Sequence, residues 1–180
     1  MAIEPTVVYT IGHSTRSIDE FVALLRAYGV QRLVDVRTIP RSRHNPQFNM
    51  DTLAKSLRNR RIAYRHLGDL GGLRQARPDS PNTGWRNASF RGFADYMQTA
   101  EFAAALEKLI KLAGEKPTAI MCAEAVPWRC HRSLVGDALV VRGIEVREII
   151  SGKSARTHVL TPMARVRGME ITYPVSDGET

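Results

Sequence analysis

Short apolar runs alternate with segments of helical period along most of this chain, and no other feature limits its fold as much. Val7-Val8-Tyr9-Thr10-Ile11 is β-branched and aromatic and stops at Gly12, as a buried strand does. Ser17-Ile18-Asp19-Glu20 reads as a capping box, with Phe21, Leu24, Leu25 and Tyr28 on one helical face and Gly29 as the stop. The pattern then repeats. Residues 32–36 form a second strand that runs into a Pro- and Arg-rich loop, and Met50, Leu53 and Leu57 mark a short helix. Residues 63–67 make a third strand, and residues 73–89 read as loop, a length typical of functional or mobile segments. Phe93 to Gly114 carries two helices or one broken helix, and residues 118–122 are the next strand. Leu134, Val135, Ala138 and Leu139 give a last helical face, and residues 145–150 a last core strand. This alternation predicts an α/β fold, a single-domain three-layer sandwich with a mostly parallel sheet and Rossmann-like order. The 180 residues are read as one domain, with a core over 7–150 and a C-terminal extension over 151–180 packed on it. The Thr172-Tyr173 region is expected to add an edge strand or hairpin.

Charge narrows the partners. The formal balance is +8, from 26 basic and 18 acidic residues. Residues 32–91 alone hold twelve Arg and one Lys against four acids, a local balance of +9. Such a field attracts a phosphorylated small molecule or nucleic acid. No apolar run approaches the ~20 residues that span a bilayer, so no membrane partner is expected. The first residues show no basic leader before an apolar stretch, and the two cysteines make no secreted disulfide framework. A cytoplasmic location is the expectation that follows.

In a parallel sheet, ligands bind beyond the carboxyl ends of the strands. That rule gathers His13 and Ser14, then Asp35, Arg37 and Arg41, then Gly71 and Gly72, then Cys122, Glu124, Cys130, His131 and Arg132 on one rim. Cys122 falls at a strand end and Cys130 near a helix start, where the dipole and neighbouring cations favour a thiolate. Cys122, Cys130, His131, Glu124 and His13 are therefore the candidate catalytic residues, as nucleophile or redox group, proton carriers and orienting carboxylate. Ser14, Asp35, Arg37, Arg41, Gly71, Gly72 and Arg132 are the candidate ligand-binding residues, with arginine forks suited to phosphate. His158 stands too far from other candidates to interpret by spacing. The Cys-x5-Arg loop that wraps phosphate is not matched, since position 128 is Trp and Arg129 comes one residue late, after Pro127. Zinc spacing is not matched either, so neither a metal nor a cofactor is expected. Two rival readings stand beside the enzyme-like site: a non-catalytic nucleic-acid-binding module, and a redox- or metal-sensing protein built on the two cysteines.

Three motifs taken together resemble a family. Tyr9-Thr10-Ile11-Gly12-His13-Ser14, Val34-Asp35-Val36-Arg37, and Cys122-Ala123-Glu124 followed by Cys130-His131-Arg132 are similar to the bacterial and archaeal domain of unknown function 488. His158-Val159-Leu160-Thr161-Pro162 and Thr172-Tyr173-Pro174 resemble its usual close. The resemblance implies a compact α/β fold and marks the same cysteine, histidine and arginine positions. It implies no particular reaction.

Overall fold

The structure, a computed structural model, describes residues 5–175. Residues 1–4, on which the expectation of no leader partly rests, and the end of the extension at 176–180 lie outside the described residues. Six strands form the main sheet in the order β3-β2-β4-β1-β5-β6. Strands β1 (Val7–Gly12), β2 (Arg32–Asp35), β3 (Ala63–His66), β4 (Thr118–Cys122) and β5 (Glu145–Ser151) run parallel. Strand β6 (Ser154–Thr157) pairs antiparallel with β5 at the edge. The fold is thus a single-domain α/β fold with a mostly parallel sheet, as the alternation requires.

Both faces of the sheet are covered, and the strand side chains show why. Successive residues point to opposite faces. Leu33, Ala119 and Met121 join Ile11 in one cluster, which takes Phe21, Val22 and Leu25 from helix α1 (Ile18–Ala27) and Leu53 and Leu57 from α2 (Met50–Asn59). Val34, Ile120 and Cys122 join Val8 in the other. That second cluster takes Phe93 from α3 (Ala88–Tyr96), Phe102, Leu106 and Leu109 from α4 (Ala100–Glu115), and Leu134 and Val135 from α5 (Arg132–Val141). The break between α3 and α4 falls where Thr99 caps the second helix by accepting from Phe102 N.

Beyond β6 the chain forms a two-stranded hairpin of β7 (Arg165–Arg167) and β8 (Glu170–Thr172). Tyr173 follows, fully buried against the core. Its backbone N–H donates to Asn82 Oδ1 (2.9 Å), and its hydroxyl donates to Asp137 Oδ2 (2.8 Å). The 71–87 segment carries no helix longer than a turn and no strand, yet it is held in place. Asp95 on α3 accepts from Arg77 N (2.7 Å), Ser80 Oγ and Asn82 Nδ2 (2.7 Å). No described helix is long and apolar enough to cross a membrane.

Candidate functional site

The parallel strands end on the same side, and their loops are tied together there. Gly12 at the end of β1 stands opposite Cys122 at the end of β4. His13 N donates to the Cys122 carbonyl (2.9 Å) and Ser14 N to that of Ala123 (3.0 Å). A Cβ at position 12 would lie 2.6 Å from the Glu124 carbonyl carbon and 2.8 Å from Ala125 Cα, so only glycine lets the two loops close.

A cavity of about 380 Å³ opens beyond these ends. The loop after β2 contributes Arg37, Thr38, Ile39 and Arg41, and the loop after β3 contributes Gly72 and Leu73. The start of α3 contributes Asn87, Ser89 and Phe90. The segment after β4 contributes Cys122 to Glu124 and Arg129 to His131. Of the residues expected on one rim, Arg37, Arg41, Gly72, Cys122, Glu124, Cys130 and His131 therefore meet at one cavity, whereas His13, Ser14, Asp35, Gly71 and Arg132 do not line it.

The residues off the cavity wall hold those on it. Asp35 is fully buried and accepts from Arg37 Nε (2.9 Å), Nη2 (2.7 Å) and backbone N (3.1 Å). Arg37 Nη2 also donates to the Phe48 carbonyl (2.7 Å), and Nη1 faces His13 Nε2 (3.4 Å). Of the five guanidinium N–H groups these contacts use four, leaving one Nη1 N–H. His13 donates from Nδ1 to the Ser14 carbonyl (2.8 Å) and stacks on Phe48 at 4.3 Å. Burial, with the Arg37 charge adding to it, holds His13 below its ordinary pKa, so it is a neutral acceptor for Arg37. Asp35 and His13, expected to bind ligand and move protons, lie off the cavity wall and both contact Arg37; Asp35 also accepts from the Tyr64 hydroxyl (2.6 Å).

Arg132 also differs from its expected place. Its Nη1 donates to Cys122 Sγ (2.7 Å) and to the Glu124 carbonyl, and its Nη2 donates to the Ala125 carbonyl (3.2 Å). The side chain is 1% exposed and does not line the cavity; three of its five N–H groups go to this turn, and its Nε–H is buried without a partner among the described residues. Burial lowers its pKa to about 10, which leaves it cationic at neutral pH. The positive charge sits directly on one sulfur.

The other sulfur meets a neutral base. His131 Nε2–H donates to the Val36 carbonyl (3.0 Å), which leaves Nδ1 as an acceptor 3.6 Å from Cys130 Sγ. Burial pulls the His131 pKa down to about 4, against the raising effect of its carbonyl bonds. Gly72 makes room for this ring, since a Cβ there would lie 2.7 Å from Nδ1. Arg132 N donates to Cys130 Sγ (3.5 Å) at the start of α5. Cys122 and Cys130 are paired through their sulfurs, with Cα atoms 7.3 Å apart, and among the described residues neither cysteine is free.

Glu124 is exposed on the cavity wall and accepts from Val126 N (3.4 Å). Among the described residues the Arg41 and Arg129 side chains, both exposed, make no hydrogen bond. Arg129 was legible only as a misplaced loop arginine, and Asn87 and Ser89 fell inside the stretch read as loop, whose end is the start of α3. Thr38, Ile39 and Leu73 carried no motif at all. No group of three or more His, Cys, Asp or Glu converges as a metal site among the described residues.

The pattern that defines the family described as "Domain of unknown function DUF488" matches residues 17–139. The chain belongs to this family. The matched segment holds Asp35, Arg37 and the whole Cys122–Arg132 stretch, while His13 and Ser14 precede it and His158 follows it. Comparison with curated proteins and with solved structures gives no match.

Proposed function

We propose that the cavity binds the phosphate or other anionic group of a ligand, a nucleotide or a nucleic-acid end, beside a reactive cysteine pair. The observation that carries this reading is the lining itself: Arg37, Arg41 and Arg129 share one open cleft with Cys122, Cys130 and His131. Arg37 is a fixed donor, since Asp35 sets its plane, and Arg41 and Arg129 are mobile forks at the mouth. Ile39 is 60% exposed and Leu73 68% exposed, so the ligand carries an apolar part as well as a charge.

The thiols divide the work. Cys122 is the thiolate, because the Arg132 cation stabilises its charged form. Cys130, when reduced, donates a hydrogen bond to His131 Nδ1, whose pKa of about 4 makes it an acceptor for the thiol rather than a base that takes its proton. The contact between the sulfurs lets one thiol resolve an adduct formed on the other.

Alkylation of the reduced chain by iodoacetamide at graded pH, with and without inorganic phosphate, tests both halves. Half-maximal alkylation is expected well below the usual thiol pKa of about 8.5, with millimolar phosphate slowing it. Thiols unreactive until about pH 8.5 would remove the cysteine half. Failure of inorganic phosphate and of nucleoside phosphates either to slow alkylation or to raise the melting temperature would remove the anion half.

A further inference from the structure

The turn that carries Cys130 separates two cavities. Pro127–Arg129 form one 3-10 turn in which consecutive side chains part company: Arg129 lines the arginine cavity and Trp128 lines a second one, of about 490 Å³. Trp128 is 62% exposed, a large apolar surface left in water. The Arg156 guanidinium lies 5.4 Å from its ring centroid. Trp85 lines the same second cavity and stacks nearly flat on Phe90 (4.9 Å, 19° between planes), which lines the first. The cavities are therefore neighbours, divided by one turn on one side and by an aromatic stack on the other.

Their chemistries differ. The first is rich in unsatisfied arginine donors. In the second, Glu148 is used up by Arg156 (2.9 Å) and His158 (2.9 Å), so no bare carboxylate repels an anion there. A cavity lined by arginines one turn away from an exposed indole, on a strongly basic chain, forms the pattern by which single strands are held: phosphates on cations and bases on aromatic faces. We infer that the ligand is a short single strand of nucleic acid that crosses the 126–131 turn, with a phosphate in the arginine cavity and a base stacked on Trp128. This rests on the phosphate reading above and adds the second cavity to it.

The test uses a feature of the composition. The chain has two tryptophans, and both line the second cavity, so intrinsic fluorescence reports on that cavity. The full chain is titrated with six-residue oligo-dT, six-residue oligo-U, a length-matched inorganic polyphosphate and inorganic phosphate. At least one oligomer should quench the fluorescence and bind about tenfold or more tightly than the polyphosphate, with an affinity that falls steeply with salt. Trp128→Leu should weaken the oligomer about tenfold while leaving inorganic phosphate binding unchanged, and Trp128→Phe should recover part of the loss. If polyphosphate binds as tightly as the oligomers, or Trp128→Leu binds them as the parent chain does, the strand inference is overturned and the phosphate reading stands. If neither inorganic phosphate, polyphosphate nor oligomer binds, both fall together.

Discussion

His131 at the arginine cavity and His158 in the C-terminal segment have opposite charge states, although each ring has both nitrogens engaged. His131 faces a carbonyl and a thiol, and its pKa falls to about 4. His158 is buried and faces two carboxylates, Asp137 Oδ1 at 2.8 Å and Glu148 Oε1 at 2.9 Å. Burial opposes its charge, yet hydrogen bonds and the charges of Asp137 and Glu148 together outweigh burial and raise it to about 9. Depth therefore does not decide whether an imidazole is charged; its partners do. Asp137 also accepts from Tyr173 and from Thr161 N (3.1 Å), so the His158 cluster clamps the segment after β6 to α5 and β5. The cavity carries its positive charge on arginines and holds its histidine neutral. The clamp spends its charge on cohesion.

Replacing the clamp histidine offers the most severe test of this contrast. His158→Gln leaves Asp137 and Glu148 facing one another without the cation between them. Removing one member of a buried ionic cluster costs about 3–5 kcal/mol. His131→Gln gives up a bond to one carbonyl and one thiol contact, so it should cost about 1 kcal/mol. Urea unfolding of both variants at neutral pH measures the difference. Equal losses would mean that the two histidines are held by the same physics.

The pH profile sharpens the contrast through its sign. The folded pKa of His158 lies above the unfolded value near 6.5, so its stabilisation is complete below pH 6.5 and is lost between 6.5 and about 9. That loss amounts to about 3 kcal/mol. The folded pKa of His131 lies below the unfolded value, so its contribution runs the other way and is lost as pH falls from 6.5 toward 4. Unfolding free energy should therefore peak near pH 6.5. His158→Gln should flatten the alkaline limb, and on the acid side it removes the His158 bond and charge that help hold the Glu148 carboxyl below its ordinary pKa. An alkaline limb unchanged by that substitution would place the proton elsewhere.

The two regions also differ in how far the sequence disclosed them. The apolar alternation and its stops at Gly12, Gly29 and Gly143 placed β1, β2, β4 and β5, because burial on both faces demands apolar, β-branched-rich runs, while β3, an edge-side strand with no buried residue, was read only from its place before Gly68. The carboxyl-end rule then brought Arg37, Cys122 and Cys130 to one cavity. It could not tell wall from support, because Asp35 and His13 differ from Arg37 only in where their polar atoms point. Strand β6 escaped notice because Ser154-Ala155-Arg156-Thr157 has no apolar face to bury. The clamp escaped because its members, Asp137, Glu148, His158 and Tyr173, come from four distant segments, each polar residue unremarkable alone. Their one trace was two acids within apolar stretches, at position 137 of a helix and position 148 of a strand.

The smallest expected change in stability makes the sharpest separation of roles. Arg41 and Arg129 are exposed at the cavity and bond to no described residue, so Arg41→Ala with Arg129→Ala should shift unfolding free energy by less than about 0.5 kcal/mol. The same pair should weaken inorganic phosphate binding about tenfold or more, the scale of a lost charge-assisted hydrogen bond. His158→Gln should do the reverse, lowering stability and leaving phosphate affinity at the parent value, since the clamp faces the other cavity. Calorimetric titration and urea unfolding on the same three proteins settle the matter. A double arginine variant that binds phosphate as before would show that the guanidiniums at the mouth are solvated surface, and would leave Arg37, with its single spare N–H, as the cavity's whole claim on an anion.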